Sequence, residues 1–339
     1  MKDTALAWPA AYPEILAQGV IRQHCEDFVV EEVLPIRLQD SGAHWYVFIE
    51  AVQWNTQDLT AHLASELNIP LHEIGYCGRK DKHAVTRQWF SVPATQCSLA
   101  DVSSVLQNTA GTQILQTGAA DKKIRIGCHT HNRFEIRVRW QTPPPRAVII
   151  HRLKRLAACG VPNYFGVQRF GYHGTNVERA RHWLLNRKNR GRRAGGGWHL
   201  SVVRGWFFNR LLGDLVANGI WSSPCLPELT KYWRGWGVPS HSAERCGESE
   251  PGQMALLLAD GRYHLPGDVA WTTWERRVYH RLRHWRFRQQ VRSIGVIPKD
   301  FHYEMDSGQL TLRFALPTGA YATSVLRELG DIRSAVSGC

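Results

Sequence analysis

Gly75-Tyr76-Cys77-Gly78-Arg79-Lys80-Asp81-Lys82-His83-Ala84-Val85-Thr86 separates an apolar approach from an alternating run, Thr86 to Val92. The pattern predicts strand, tight glycine turn, strand. One carboxylate, Asp81, stands at the turn among Arg79, Lys80, Lys82 and His83. Opposite charges nearby favour the ionised acid, and an ionised carboxylate exposed at a strand end can act as nucleophile or base. Asp beside Gly is also ordinary β-turn chemistry. On spacing alone the plain turn is the simpler reading.

Upstream, Glu26 to Val33 reads as a short strand with Phe28 and Val30 on one face, and Trp45 to Val52 as a more apolar, central one. Asn55 or Thr56 caps a helix through about Leu67, with Leu59, Leu63 and Leu67 on one stripe. Downstream, Lys122 to Ile126 and Asn132 to Trp140 read as a strand pair. In the second, Arg133, Arg137 and Arg139 share a face with Glu135, either solvated or set as a row for phosphates. Pro143, Pro144 and Pro145 open a helix that Gly160 closes. This mixture predicts an α+β domain.

Charge narrows the partner. Forty-two Lys and Arg against 29 Asp and Glu give +13 over 339 residues, a surplus that suits a polyanion, either nucleic acid or an anionic membrane. No apolar run approaches the roughly eighteen residues of a spanning helix, and the first residues do not read as a signal peptide. The expectation is a soluble, cytoplasmic protein of two domains, with nucleic acid as the leading partner. None of the eight cysteines forms a CxxC pair. His129 and His131 lack a further Cys or carboxylate at ligand spacing, so no metal site is expected.

Past Tyr164-Phe165-Gly166-Val167-Gln168-Arg169-Phe170-Gly171 the chain turns basic. Asn186 to Arg193, followed by Gly195, Gly196 and Gly197, reads as a flexible loop, and Leu200 to Leu215 as an apolar helix. Trp274 to Arg292 is read as one helix bearing seven arginines and two histidines, its Val278, Leu282, Trp285 and Val291 packed inward. With Glu275 its one acid, nucleic acid is the favoured reading over a solvated face. Gln309 to Leu316 returns to strand, Pro317 to Ala320 turns, and Thr323 or Ser324 caps a short helix.

At Gly78 to Thr86 the chain resembles the tRNA pseudouridine synthase D family, whose signature there is Gly-x-Lys-Asp-Lys-x-Ala-Val-Thr. Four further stretches follow in family order: EDFVVEE at 26–32, NRF at 132–134, GVPNYFGVQRFG at 160–171 and LPTGAYATSVLREL at 316–329. The resemblance implies isomerisation of a tRNA uridine to pseudouridine, at position 13 in the bacterial enzymes, with no cofactor. It implies a catalytic domain with a mixed, largely antiparallel sheet, residues 1–159 and 297–339, around an inserted α/β TRUD domain, residues 160–296. Asp81 would be the catalytic carboxylate, attacking either the sugar C1′ or the base C6. Phe28, Asn132 and Tyr321 would line the uridine pocket, with Arg79, Lys80 and Lys82 as electrostatic support. His131 stands where the family usually has glycine, and Tyr321 where phenylalanine is common. No obligatory protein partner is inferred. Two other classes stay open: a catalytically silent tRNA-binding module, and a nucleic-acid hydrolase or deaminase using the histidines with a metal.

Overall fold

The computed structural model describes residues 8–166, 169–186, 197–222, 255–258, 265, 269–284, 290–306 and 308–335. The chain forms two compact units. One, the sheet unit, holds residues 16–149, 298–319 and 330–339; the other, the helical unit, holds 1–15, 150–297 and 320–329.

In chain order the sheet unit begins with β1 (Gln18–Ile21), β2 (Phe28–Val33) and β3 (His44–Val52), then α1 (Thr56–Glu66), β4 (Gly75–Tyr76) and β5 (Val85–Pro93). It continues with α2 (Leu99–Gln107), β6 (Thr112–Ala120) and β7 (His131–Trp140). Asn55 caps α1 by accepting from the Asp58 N–H, and Ser98 caps α2 with Asp101 in a reciprocal box. Next come α3 (Arg146–Cys159), β8 (Val161–Pro162), α4 (Thr175–Leu185), α5 (Gly197–Ala217), β9 (Ala255–Leu258) and α6 (Thr273–His284). The last elements are β10 (Gln290–Ser293), β11 (Gly295–Val296), β12 (Lys299–Asp306), β13 (Gln309–Pro317), α7 (Ala322–Leu326) and β14 (Asp331–Ser334).

The large sheet runs β12-β13-β7-β2-β5-β3-β6, with β1 and β14 beyond β7 and β4 on β5. Along that order only β2 and β5 pair parallel. An α+β fold with a mixed, largely antiparallel sheet is therefore what the chain forms. Strand β5 is buried along nearly its whole length, as a strand covered on both faces must be. Leu59 and Leu63 of α1, with Val102 and Leu106 of α2, cover Val47, Ile49, Phe90 and Val92. Trp89, stacked on Phe48 at 4.8 Å, lies in a separate cluster with Tyr46 and Ile124. Each such side chain contributes about 1.5–3 kcal/mol by leaving water. In the helical unit, Phe207, Phe208 and Leu211 of α5 pack with Val177 and Leu184 of α4 and Val278 and Leu282 of α6.

Three sequence expectations need correction. Residues 122–126 form no strand; β6 is the partner of β3, and β7 sits between β13 and β2. The apparent alternation there buries Ile124 but leaves Ile126 77% exposed. The described part of the basic helix is Thr273–His284, and it does not run on to Arg292, which lies on β10, paired with β9. Gln290 to Ser293 pairs antiparallel with Ala255 to Leu258, which a helix through Arg292 could not do. Arg286 and Arg288, and the loop at 187–196, lie outside the described residues. Lastly, α7 is capped at Tyr321 rather than Thr323 or Ser324, and the Ser324 hydroxyl bonds the Tyr164 carbonyl.

Candidate active site

The loop between β4 and β5 is pinned from the first turn of α1. Thr56 Oγ1 accepts from the Lys80 N–H at 2.8 Å and donates to Gln88 Oε1 at 2.9 Å, while Gln88 Nε2 donates to the Gly78 carbonyl. Thr56 and Gln88 are both buried, so these bonds are made out of water, where leaving them unmade costs most. Beyond the pinned section the chain carries Asp81, Lys82 and His83 outward, all exposed.

Asp81 keeps 47% of its side chain in solvent, and its Oδ2 accepts from Arg22 Nη2 at 2.8 Å. Arg22 follows β1 directly, in the left-handed backbone region at φ 58°. For a non-glycine residue that conformation costs on the order of 1 kcal/mol and persists only where the surroundings impose it. Its guanidinium lies 4.2 Å from the centre of the Phe28 ring, which is buried edge-on against Phe134. Phe28 is thus both strand core and the face on which the arginine of the Asp81 pair rests.

Lys80 turns inward, away from the role expected of it. Only 7% of its side chain is exposed, and its Nζ lies 3.2 Å from Glu32 Oε2 and 2.6 Å from Asn132 Oδ1. The register of β2 against β7 places Glu32 directly opposite Asn132. The Asn132 amide nitrogen meets His129 Nε2 at 3.3 Å. Burial, then the Lys80 charge, hold the His129 imidazole down to about 4, so the ring is neutral near pH 7 and able to accept. Burial pushes the Glu32 carboxyl up, against the pull of Lys80. Arg79 and Lys82 are exposed, with no ion pair among the described residues. Of the expected supports, then, none touches Asp81; Arg22 does.

Glu32, Cys77 and His129 present ligand atoms within 4.8 Å of one another, the spacing of a metal site. The set does not fit one. The Lys80 ammonium already sits on Glu32, and burial with the Glu32 charge pushes the Cys77 thiol far up, away from the thiolate that a metal would need. Cys77 Sγ instead lies 2.9 Å from Cys128 Sγ. The β7 arginines are committed as well: Arg133 to Glu31, and Arg137 and Arg139 to Asp27.

Tyr321 belongs to the helical unit. Its ring is 6.4 Å from that of Phe165, and the Arg292 guanidinium lies 4.0 Å from Phe165 and 5.7 Å from Tyr321. Arg292 donates to the Asn163 carbonyl and side-chain oxygen, and burial lowers it to about 10. Arg22 and Glu32 were not singled out from sequence; His129 was weighed only as half of a histidine pair for metal, and Arg292 only as one arginine of the basic helix. Glu32 lies within the EDFVVEE stretch, but its part depends on a cross-strand register that no spacing reveals.

The family model described as tRNA pseudouridine synthase D matches residues 15–190 and 276–329. The chain is similar to the tRNA pseudouridine synthase D of Pseudomonas syringae pv. syringae, 33% identical across 98% of this chain and 97% of the relative. It is 32% identical to that of Azotobacter vinelandii over the same shares. A crystal structure from Methanosarcina mazei, of a protein provisionally named tRNA pseudouridine synthase D, superposes with a TM-score of 0.64 at 18% identity, covering 96% of each chain. That likeness shows a shared fold.

Proposed function

This chain belongs to the tRNA pseudouridine synthase D family, and from that premise we propose that it isomerises a tRNA uridine to pseudouridine, at position 13, with Asp81 as nucleophile. The observation that carries the assignment is the state of Asp81: a carboxylate half in solvent, one oxygen held by Arg22, the other with no hydrogen bond among the described residues. A nucleophile needs a reachable lone pair and a fixed direction of approach, and this geometry supplies both.

A base inside an RNA helix is out of reach, so the uridine must be extruded, at a cost of a few kcal/mol in lost stacking. Phe28 and the Arg22 guanidinium above it offer a flat face beside Asp81 to offset that loss. Asp81 attacks either the sugar C1′ or the base C6. The N-glycosidic bond breaks, the uracil turns and C5 bonds to C1′; the bond to Asp81 breaks and returns its carboxylate, and the proton lost from C5 is matched by one gained at N1. Atoms and electrons balance within the nucleotide, so the reaction calls for no redox partner or energy source. Asn132 reads the uracil edge; the Tyr321 ring, in the helical unit, is a candidate stacking face for a base. The +13 surplus suits tRNA as the partner, and no helix among the described residues is long and apolar enough to cross a membrane. The reading puts the protein in the cytoplasm, where tRNA is matured.

Asp81→Asn keeps the shape and removes the charge. The expected result is no detectable pseudouridine in tRNA, with affinity within about threefold of wild type, because phosphate contacts dominate binding. Turnover at a sizeable fraction of the wild-type rate would remove Asp81 from the chemistry. An intact chain that binds tRNA but forms no pseudouridine would point to the silent binding module.

A further inference from the structure

The Asn132 amide is held at both ends by groups that tell its oxygen from its nitrogen. An ammonium can only donate, so the atom 2.6 Å from Lys80 Nζ must be the amide oxygen. That leaves the NH2 facing His129 Nε2 at 3.3 Å, a bond made when the neutral ring carries its proton on Nδ1 and Nε2 accepts. Rotating the amide by half a turn would set NH2 against ammonium and oxygen against a lone pair, losing both bonds. Lys80 is itself fixed by Glu32 and by the backbone bond to Thr56, and all the side chains of this chain of contacts are buried.

Each amide atom has one hydrogen-bonding position left over, a lone pair on oxygen and an N–H on nitrogen. Uracil presents N3–H, a donor, flanked by the acceptors O2 and O4. Cytosine presents N3 as an acceptor and a donor amine at C4. In one and the same pose, an amide that pairs with uracil must turn over to pair with cytosine. We propose that Lys80, anchored on Glu32, and His129 together lock the Asn132 amide in one orientation and so make Lys80 and His129 positioning residues for uracil over cytosine. This rests on the proposed function, and assigns to Lys80 a task other than support of Asp81.

The test uses the full chain and tRNA transcripts carrying uridine or cytidine at the position the wild-type protein modifies. Competition binding reads the ratio of affinities for the two. Wild type should prefer uridine by about tenfold or more, the discrimination of one bidentate pair. Lys80→Met alone strands Glu32 in the interior, so Lys80→Met/Glu32→Gln is the working variant, with thermal melting to show that it is folded. The ratio in that variant should fall to within about threefold of unity, and His129→Leu should lower it in the same direction. Adding Asn132→Ala to the Lys80/Glu32 variant should change the ratio no further, since those residues act through Asn132. A wild-type ratio in the folded Lys80/Glu32 variant, while Asn132→Ala abolishes it, overturns the lock and leaves the function standing. A ratio that survives Asn132→Ala, or is absent in wild type, overturns the lock as well. Failure of the wild-type protein to form pseudouridine in the uridine transcript would instead overturn the function on which it rests.

Discussion

Two aspartates of the sheet unit meet arginine, and they meet it differently. Asp27 is fully buried at the start of β2. Arg139 grips both its oxygens, at 2.7 and 3.2 Å, Arg137 stands 3.6 Å away, and the His24 N–H donates to it. Among the described residues Asp81 has one bond, to Arg22, and nearly half its side chain is in water. Burial alone would raise the Asp27 carboxyl, but the Arg139 bond, the His24 N–H and the charges of Arg139 and Arg137 bring it below the usual range. A carboxylate whose lone pairs are all taken is structure. One with a lone pair left in solvent, in a pinned loop, is available for chemistry.

The sharpest way to break that contrast is to treat both alike. Asp81→Asn should abolish pseudouridine formation while moving the unfolding free energy by less than about 0.5 kcal/mol, as an exposed pair should. Asp27→Ala should do the reverse, costing about 3 kcal/mol in denaturant unfolding, the low end for a broken buried pair, because Arg139 keeps a quarter of its side chain in water. The folded fraction of the Asp27 variant should still turn over tRNA. If Asp27→Ala proves as silent in unfolding as Asp81→Asn, burial has been misjudged as the distinction.

Why the sequence showed one aspartate and not the other follows from what each depends on. Asp81 sits in a local pattern, glycines and cations around one acid, legible within a dozen residues. The α1 cap at Asn55, the α3 end at Gly160 and the alternation of β7 were legible for the same reason: each is decided by neighbours in sequence. Arg22 is 59 residues from its partner, and Glu32 meets Lys80 only because β2 pairs parallel with β5. The inward turn of Lys80 was hidden likewise, since it needs the buried Glu32 and Asn132 to receive it. The misread strand at 122–126 and the overlong basic helix failed for a second reason. Short alternation and dense arginine carry little information about which residues leave water.

His129 sharpens the contrast through acid. Its folded value, about 4, lies below the usual 6.5 because burial and Lys80 disfavour the charged ring. The unfolded chain therefore takes up a proton first as pH falls below 6.5, and stability declines until the folded form also protonates near 4. By about pH 5 roughly 2 kcal/mol present at pH 8 should be gone. Asp27, with its lowered carboxyl, contributes unchanged in that window, since such stability is lost only as pH falls through its folded value. Glu32 works in the opposite sense to His129: its raised carboxyl is relieved as pH falls. The comparison to make is thus wild type against His129→Leu, by urea unfolding at pH 8 and pH 5. The variant should lose about 2 kcal/mol less between the two. Parallel curves would mean that the imidazole is not held neutral by its surroundings.

The smallest expected effect is at Tyr321, whose hydroxyl is the one atom by which it differs from the phenylalanine common in the family. Two roles are open to the side chain. Its ring can stack on a base, worth roughly 1–3 kcal/mol in comparable stacks, or its hydroxyl can remove the C5 proton as a general base. As a general base the hydroxyl would need a neighbour to take its own proton. The charged neighbour at hand, Arg292, lies against the ring at 5.7 Å from its centre and donates to the carbonyl and side-chain oxygens of Asn163. Among the described residues no hydrogen bond reaches the Tyr321 hydroxyl. Stacking is the role this environment supports. Tyr321→Phe should keep turnover within about twofold of wild type, while Tyr321→Ala should lose about tenfold or more, the equivalent of a lost stack. Rates of pseudouridine formation at saturating tRNA decide the matter: a hundredfold fall in the phenylalanine variant with unchanged affinity would give the hydroxyl the proton after all.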